Sequence, residues 1–220
     1  MTMDTIVQEN GKATLPRLNQ PAPLFEAETT HGTLRLEDFQ GSWVILFSHP
    51  ADFTPVCTTE FIAFTELAPE LKKRGVELCG LSIDSTYSHI AWVRNIEKNF
   101  GVRVPFPIIA DLNKEVASLY GMVMPGESKT ETSRCVFVID PKGILRAMIY
   151  YPLTTGRNTQ EILRLIDALQ ATDKHGIATP ANWKPGEKII IPPPRTTEAA
   201  EERMKAGYET ADWYFSKRAI

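Results

Sequence analysis

The sequence predicts a three-layer α/β sandwich, in which helices cover both faces of a mixed sheet. Short apolar runs alternate with amphipathic stretches between residues 43 and 121, as in parallel strands joined by helices. A β-hairpin pattern and a long amphipathic stretch follow at residues 135–176. In such sheets, sites lie at the carboxyl ends of the parallel strands, so functional residues are expected there.

The predicted elements follow one another without long gaps. The first strand, WVILFSH, is almost continuously apolar, which is typical of a strand buried on both faces. The first helix ends in Lys-Lys-Arg-Gly, a common helix ending, and contains Pro69, which removes one backbone hydrogen bond and should kink it. In chain order, the predicted bounds are a strand at 43–49, a helix at 57–75, a strand at 76–84, a helix at 86–101, a strand at 106–110, a helix at 113–121, hairpin strands at 135–140 and 144–151, and a helix at 159–176.

The composition changes near residue 177, which separates a main domain at residues 1–176 from a C-terminal arm at residues 177–220. The arm is rich in proline, then briefly helical, then aromatic. So short a segment cannot bury its aromatic side chains in a core of its own. We therefore expect the arm to pack on the main domain or on a second subunit.

The overall composition argues against several kinds of partner. Of the 220 residues, 43% are hydrophobic and 23% are charged, and the formal net charge is −3 with a pI near 5.9. This balance provides no electrostatic attraction to nucleic acid or to anionic membranes. The first ten residues, MTMDTIVQEN, lack the basic start and apolar centre of a signal peptide, and no apolar run is long enough to span a membrane. We expect a cytoplasmic protein.

Three cysteines, Cys57, Cys79 and Cys135, stand far apart and form no C-x-x-C motif. This spacing argues against a disulfide scaffold and a zinc site, and we expect neither a metal nor a cofactor. Cys79 lies inside a predicted strand and Cys135 begins another, where cysteine is usually a small core residue. Cys57 differs, because it lies just past the first strand at the start of a helix.

The position of Cys57, in FSHPADFTPVCTTEF, favours a thiolate. If Thr54 caps the helix and Pro55 is its first residue, Cys57 lies in the first turn, where free N–H groups and the helix dipole stabilise an anion. A buried structural cysteine is the alternative at such a position. In general, lowering a thiol pKa from about 8.5 to about 6 raises the thiolate fraction at pH 7 about 30-fold, but the weaker nucleophile loses on the order of tenfold. A fast cysteine enzyme therefore needs a cation that stabilises the developing charge.

Two later stretches offer that cation. Arg134, in ETSRCVF, stands at the start of a strand in the same sheet, and Arg157, in TTGRN, precedes the last helix. Taken alone, each arginine also fits a surface or salt-bridge role. His49 ends the first strand and is a candidate hydrogen-bond partner, although a core or capping role also fits it.

These residues resemble the peroxiredoxin signature. Pro50-x-x-x-Thr54-x-x-Cys57, with Arg134 after Ser133, matches its spacing. The similarity to the one-cysteine branch of that family covers nearly the whole chain, through LFSHPADFTPVCTTE, LSIDSTYSHIAWV, VPFPIIAD, YYPLTTGRN and TPANWKPGE. The resemblance implies a thioredoxin-like fold with a C-terminal extension, and a thiol-dependent peroxidase active in antioxidant defence.

The resemblance also implies a role for each matching position. Cys57 would attack a peroxide oxygen of hydrogen peroxide or an organic hydroperoxide and become a sulfenic acid. Thr54 would hydrogen-bond the peroxide, Pro50 would shield the cysteine from solvent, and Arg134 would stabilise the thiolate and the departing oxygen. At the remaining matching positions, Arg157 and His49 would line the substrate pocket.

Further expectations concern the rest of the cycle. No cysteine follows Cys135, so we expect an external thiol such as thioredoxin or glutathione to reduce the sulfenic acid. The arm matches the family's dimerisation arm, which implies a homodimer that assembles into a decamer. The phospholipase activity associated with mammalian members is not expected, because Glu37 stands where the histidine base of Ser42 would be needed.

Three alternatives concern other kinds of protein. A disulfide oxidoreductase needs a second cysteine three residues on, where Glu60 stands. A cysteine hydrolase using Cys57 and His49 needs an orienting Asn or Asp and an oxyanion hole, for which no local signature is present. A holdase or peroxide sensor would use the same residues, and only turnover distinguishes it.

Overall fold

The computed structural model describes residues 15–220. The stretch MTMDTIVQEN, in which we expect no signal peptide, lies outside the described residues. The chain forms two compact units, of which the first ends at Arg157 and the second runs from Asn158 to Ile220. The boundary between residues 176 and 177 stays a prediction. Within the described residues, no helix combines the length and hydropathy needed to cross a membrane.

The first unit contains a seven-stranded mixed sheet. In chain order its elements are β1 (Glu26–Thr29), β2 (Gly32–Arg35), a short 3-10 helix (Leu36–Phe39), β3 (Trp43–Ser48), α1 (Pro55–Lys73), β4 (Val76–Ser82), α2 (Thr86–Phe100), β5 (Ile108–Ala110), α3 (Glu115–Leu119), β6 (Arg134–Ile139) and β7 (Leu145–Tyr151). The strands lie in the order β2-β1-β5-β4-β3-β6-β7. The β3–β4 and β4–β5 pairs are parallel, and the other neighbouring pairs are antiparallel. The predicted mixed α/β fold is confirmed.

The hairpin of β1 and β2 at the edge of this sheet was not predicted from the sequence. Most of its residues are exposed or half-buried. A strand pair with so little buried surface carries no strong apolar alternation, which is the signal that predicts strands.

The core is built around β3, whose six residues are all buried. Successive side chains of a strand point to opposite faces of the sheet. On one face, the ring of Phe47 stacks at 4.2 Å on Phe64 of α1. On the other face, Val44 and Leu46 belong to a buried cluster that includes Val116 of α3. The helices α1 and α3 therefore lie on opposite sides of the sheet.

The sheet register also determines where the candidate site forms. β6 runs antiparallel to β3, with Phe47 opposite Val136. The start of β6 at Arg134 therefore lies beside the carboxyl end of β3, where the chain turns into α1.

The second unit combines two helices with a small sheet. Its elements are α4 (Thr159–His175), β8 (Ile189–Ile191), α5 (Thr197–Lys205), β9 (Glu209–Asp212) and β10 (Phe215–Arg218). The three strands are antiparallel, in the order β8-β10-β9. The helical and aromatic parts of this unit were predicted from the sequence, but its strands were not.

Aromatic side chains of the second unit fall into two groups. Trp183 is buried in a small cluster with Ala168, Ile177 and Ile189. Near the C-terminus, a second group is exposed: Tyr208, Trp213, Tyr214 and Phe215. The unit thus has a small apolar cluster, but leaves its last aromatic residues outside it.

Candidate active site

The cysteine of the predicted site is the third residue of α1, and it is fully buried. Thr54 is the N-cap, with an extended backbone (φ −104°, ψ 148°), and Pro55 is the first helical residue, as predicted. The Thr54 hydroxyl donates to the Ala51 carbonyl at 2.9 Å instead of capping the helix, and its oxygen can still accept a hydrogen bond. Cys57 therefore lies at the positive end of α1, where the first N–H groups have no intrahelical partner.

Arg134 approaches this cysteine directly. Its Nη1 donates to Cys57 Sγ at 3.3 Å, although the two residues are 77 positions apart. Its Nε donates to the Leu153 carbonyl at 2.9 Å, which fixes the orientation of the guanidinium. Arg134 is 2% exposed, so its charge acts on the sulfur with little screening by water.

Glu60 lies between the two arginines, and the sequence analysis did not identify it as a site residue. Its Oε2 accepts from Arg134 Nη1 at 2.7 Å and from Arg157 Nη2 at 2.8 Å, while its Oε1 accepts from Arg157 Nε at 2.9 Å. Burial alone raises the pKa of Glu60, but the charges and hydrogen bonds of Arg157 and Arg134 outweigh it and hold the pKa below its usual range. Glu60 follows Cys57 by three residues, so both lie on one face of α1, which is the signal that could have identified it.

Arg157 connects three elements around the site. Its Nη1 donates to the carbonyls of Ser48 and Cys135, both at 2.8 Å. Its guanidinium also lies 5.2 Å and 5.3 Å from the ring centroids of Phe47 and Phe64, which adds a cation–π contribution. These contacts, with those to Glu60, fix α1 against the adjacent ends of β3 and β6.

His49 follows β3 and packs against both neighbouring helices. Its ring centroid lies 4.8 Å from that of Phe61 in α1 and 5.0 Å from that of Trp92 in α2. Phe61 follows Cys57 by four residues, so His49 lies against the face of α1 that carries the cysteine. Burial lowers the pKa of His49 despite a hydrogen bond to Asp52, so the ring is neutral near pH 7.

Asp52 and His89 stand behind His49, and the sequence analysis did not predict them. Asp52 Oδ1 lies 3.0 Å from His49 Nε2, and Asp52 Oδ2 lies 2.9 Å from His89 Nδ1. Burial alone raises the pKa of Asp52, but the hydrogen bonds with both histidines hold it well below its usual range. No local motif marks the pair, because Asp52 and His89 are 37 positions apart.

Pro50 lies at the carboxyl end of β3, in the loop that leads to α1, and it is buried. The loop is anchored to the segment just before β6, because the Thr132 hydroxyl donates to the His49 carbonyl at 2.7 Å. Phe53, in the same loop, has a left-handed backbone (φ 56°), which is uncommon for a bulky residue. The hydrogen bond from Thr132 and the left-handed backbone of Phe53 define the path of the loop from β3 to α1.

The other two cysteines lie within the sheet. Cys79 is in β4 and Cys135 is in β6, and both are fully buried. Burial raises the pKa of each thiol to about 12. Both are free and protonated near neutral pH, so neither is a ready nucleophile.

Profiles of known families match both parts of the chain. The AhpC/TSA family profile matches residues 18–148, and the profile of the C-terminal domain of 1-Cys peroxiredoxin matches residues 168–207. A peroxiredoxin of Aquifex aeolicus is 59% identical over 94% of this chain and 98% of its own length. A peroxiredoxin of Methanosarcina mazei is 49% identical over 91% of this chain and 96% of its own.

Solved structures agree with these relatives. A yeast mitochondrial 1-Cys peroxiredoxin superposes with a TM-score of 0.83 at 45% identity, covering 94% of this chain and all of its own. A cysteine-to-serine mutant of peroxiredoxin 6 from Arenicola marina gives 0.82 at 39% identity, covering 93% and 98%. Fold and sequence together place the chain among the thiol-dependent peroxidases with a thioredoxin-like fold. It belongs to the AhpC/TSA family of peroxiredoxins, with the C-terminal domain of the 1-Cys members.

Proposed function

We propose that this peroxiredoxin reduces hydrogen peroxide and organic hydroperoxides by a one-cysteine cycle, in which Cys57 is the only redox-active thiol. The observation that carries the proposal is the 3.3 Å hydrogen bond from Arg134 Nη1 to Cys57 Sγ at the start of α1. A guanidinium at this distance stabilises a thiolate and is the cation that a fast cysteine enzyme requires.

In the first step, the Cys57 thiolate attacks one peroxide oxygen. The O–O bond breaks as the S–O bond forms, so the sulfur is oxidised to a sulfenic acid and the peroxide is reduced to water or an alcohol once the leaving oxygen takes up a proton. Arg134 stabilises the negative charge on the sulfur and then on the leaving oxygen, and the Thr54 hydroxyl oxygen accepts a hydrogen bond from the peroxide. Pro50 keeps water from the sulfur. Because Cys57 is fully buried, a peroxide reaches it only when neighbouring side chains move.

Three further residues, Arg157, Glu60 and His49, position Arg134 or line the pocket during this step. Arg157 and Glu60 keep the guanidinium of Arg134 in place through their paired hydrogen bonds. His49 lines the pocket from the carboxyl end of β3.

The second half of the cycle uses thiols from outside the chain. Cys79 and Cys135 are buried in the sheet, and their thiol pKa of about 12 leaves almost no thiolate to attack the sulfenic acid. An external thiol condenses with the sulfenic acid, releasing water and leaving a mixed disulfide, and a second thiol then restores Cys57. The yeast relative is resolved through glutathione and thioredoxin systems. We propose the same class of reductant for the present chain. We also propose a role in antioxidant defence, in the reducing environment of the cytoplasm.

The C-terminal arm is proposed to mediate dimerisation. Several large apolar side chains of the second unit are exposed: Met204, Tyr208, Trp213, Tyr214, Phe215 and Ile220. Clustered exposed apolar surface is typical of protein interfaces. We propose a homodimer that assembles further into a decamer. Sedimentation velocity of the full chain and of a Trp213→Ser/Phe215→Ser variant tests this, since a monomeric wild type would contradict it.

Peroxide consumption with dithiothreitol tests the proposed cycle. Cys57→Ser is expected to abolish turnover, whereas Cys79→Ala/Cys135→Ala is expected to keep it. Turnover that survives in Cys57→Ser would show that another group reduces the peroxide. Loss of recycling in the double variant would reveal a resolving cysteine inside the chain.

A further inference from the structure

A serine side chain joins the end of β3 to the start of β6. The paired residues of these two strands stop at Phe47 and Val136, although Ser48 and Cys135 also lie within the strands. In place of a further backbone pair, the Ser48 hydroxyl donates to the Ser133 carbonyl at 2.6 Å and accepts from the Cys135 N–H at 3.2 Å. Ser48 and Cys135 are fully buried and Ser133 is 3% exposed, so water cannot replace either bond.

These two hydrogen bonds lie on either side of Arg134. The Ser133 carbonyl belongs to the peptide group before Arg134, and the Cys135 N–H belongs to the peptide group after it. The same N–H also donates to the Ser133 carbonyl at 3.1 Å, which closes a three-residue turn centred on Arg134. Such turns are common at strand ends. The hydroxyl of Ser48 therefore fixes both peptide groups of the residue whose guanidinium reaches Cys57.

The turn also determines what the Ser48 carbonyl binds. The His49 N–H donates to the Leu81 carbonyl of β4 at 2.9 Å, so the N–H and C=O of the preceding residue point to β6. In a regular antiparallel ladder, Ser48 and Cys135 would exchange both N–H···O bonds. Because the Cys135 N–H is used by the hydroxyl and the turn, the Ser48 carbonyl accepts from Arg157 Nη1 instead, at 2.8 Å.

We propose that Ser48 is a positioning residue for the peroxidase reaction, because its hydroxyl holds the turn that directs Arg134 to Cys57. Its carbonyl supports the same cation indirectly, since Arg157 binds the carboxylate that Arg134 also binds. This inference rests on the proposed function, in which Arg134 supplies the positive charge. Without the hydroxyl, the Cys135 N–H can complete the backbone pair with residue 48, so the start of β6 straightens and the guanidinium moves away from the sulfur.

Stopped-flow oxidation of Cys57 by hydrogen peroxide tests the role with a Ser48→Ala variant. Thr29→Val is the matched control, because Thr29 is 3% exposed and its hydroxyl likewise donates to a carbonyl, of Gly32, and accepts from an N–H, of His31. It lies in β1, which β5 and β4 separate from β3. We expect Ser48→Ala to react about tenfold more slowly than the control, within the loss of about 10²-fold that a 1 Å misplacement can cause. A rate equal to that of Thr29→Val overturns the proposal.

Rescue by a conservative variant separates positioning from a general loss of stability. Ser48→Thr keeps the hydroxyl, whereas Ser48→Val has nearly the same side-chain shape without it. We expect Ser48→Thr to react about fivefold faster than Ser48→Val, as part of the same loss of geometry. Circular dichroism confirms that each variant is folded at the temperature of the measurement, and this pair gives the test if Ser48→Ala does not fold. Equal rates for the two variants overturn the proposal.

A double-mutant cycle with Arg134→Ala identifies the group through which Ser48 acts. Once the guanidinium is gone there is nothing to position, so adding Ser48→Ala is expected to slow the reaction by less than about twofold. A further tenfold loss would show that Ser48 acts independently of Arg134, and would overturn the proposal. Turnover in Cys57→Ser would instead contradict the proposed function, so the two failures are distinguishable.

Discussion

Arg134 and Glu60 share a hydrogen bond of 2.7 Å through the same nitrogen, Nη1, that donates to the Cys57 sulfur at 3.3 Å. The carboxylate and the sulfur therefore share one nitrogen, whose two N–H groups can serve one acceptor each. Glu60 is also bound by Arg157, so its charge is divided between two cations. This division leaves Arg134 with positive charge to offer the sulfur and the leaving oxygen, which is what the proposed chemistry needs.

Removal of the Arg134 side chain should slow the attack of Cys57 on peroxide while leaving the protein folded, so that the rate can be measured. We expect Arg134→Ala to lower the rate constant for Cys57 oxidation by about 10²- to 10³-fold, the usual loss for one preorganised donor. Arg134→Lys should recover only part of the rate, because an ammonium group lacks the fork that reaches Cys57, Glu60 and the Leu153 carbonyl together. Stopped-flow measurement at several peroxide concentrations gives the rates. Arg94→Ala, at an exposed site of α2, is the control, and a rate for Arg134→Ala equal to that of this control would remove Arg134 from the mechanism.

Neutralising Glu60 should destabilise the protein strongly. Glu60→Gln keeps the side-chain size but leaves two buried guanidinium groups without their shared carboxylate, and breaking such a pair costs about 3–5 kcal/mol. Urea unfolding at a fixed protein concentration measures the change. Glu66→Gln changes an exposed residue of the same helix and should shift the free energy of unfolding by less than about 0.5 kcal/mol. Equal stability of the two variants would show that the Glu60 pairs contribute nothing.

The same carboxylate makes stability depend on pH in a defined direction. The pKa of Glu60 is lower in the folded protein than in the unfolded chain, where it is about 4.3. Between those two values the unfolded chain binds more protons, so the contribution of Glu60 is present above about pH 4.3 and is lost as pH falls through the folded value. The difference in unfolding free energy between wild type and Glu60→Gln should therefore be constant above about pH 5 and shrink below about pH 4.3. Parallel stability curves down to the lowest pH would contradict the lowered pKa.

The sequence was informative where the signal is local. Thr54, Pro55 and Cys57 could be placed at the start of α1 because N-cap and first-turn preferences act over a few residues. Arg134 could be expected near Cys57 because it starts a strand predicted to lie in the same sheet, from which its guanidinium can reach a neighbouring strand end. The prediction of a mixed sheet followed from the alternation of apolar runs and helical periods.

The partners of these residues could not be predicted in the same way. Glu60 meets Arg157 across 97 positions, and Asp52 meets His89 across 37, so neither contact leaves a pattern in neighbouring residues. Each of these side chains is charged or titratable yet buried, which composition and periodicity treat as an exception. The strands β9 and β10 were missed for a different reason, since most of their residues are exposed and carry no apolar alternation.

Cys79 and Cys135 should be unreactive in the folded protein. A thiol pKa of about 12 leaves on the order of one thiolate in ten thousand at pH 8, and both side chains are fully buried. We expect iodoacetamide to label neither residue in the native protein within the time that labels both in urea, as read by peptide mass spectrometry. Labelling of either cysteine at native conditions would show that it is accessible and would reopen the question of an internal resolving thiol.

The identity of the oxidised group after a single turnover tests the one-cysteine cycle most directly. The protein is mixed with one equivalent of hydrogen peroxide in the absence of thiol, trapped with dimedone, and analysed by intact and peptide mass spectrometry. The one-cysteine cycle predicts a single dimedone adduct on Cys57, with Cys79 and Cys135 unmodified, and its disappearance when glutathione or thioredoxin is added before the trap. A disulfide between Cys57 and another cysteine of the chain, or an adduct at any other residue, would contradict it.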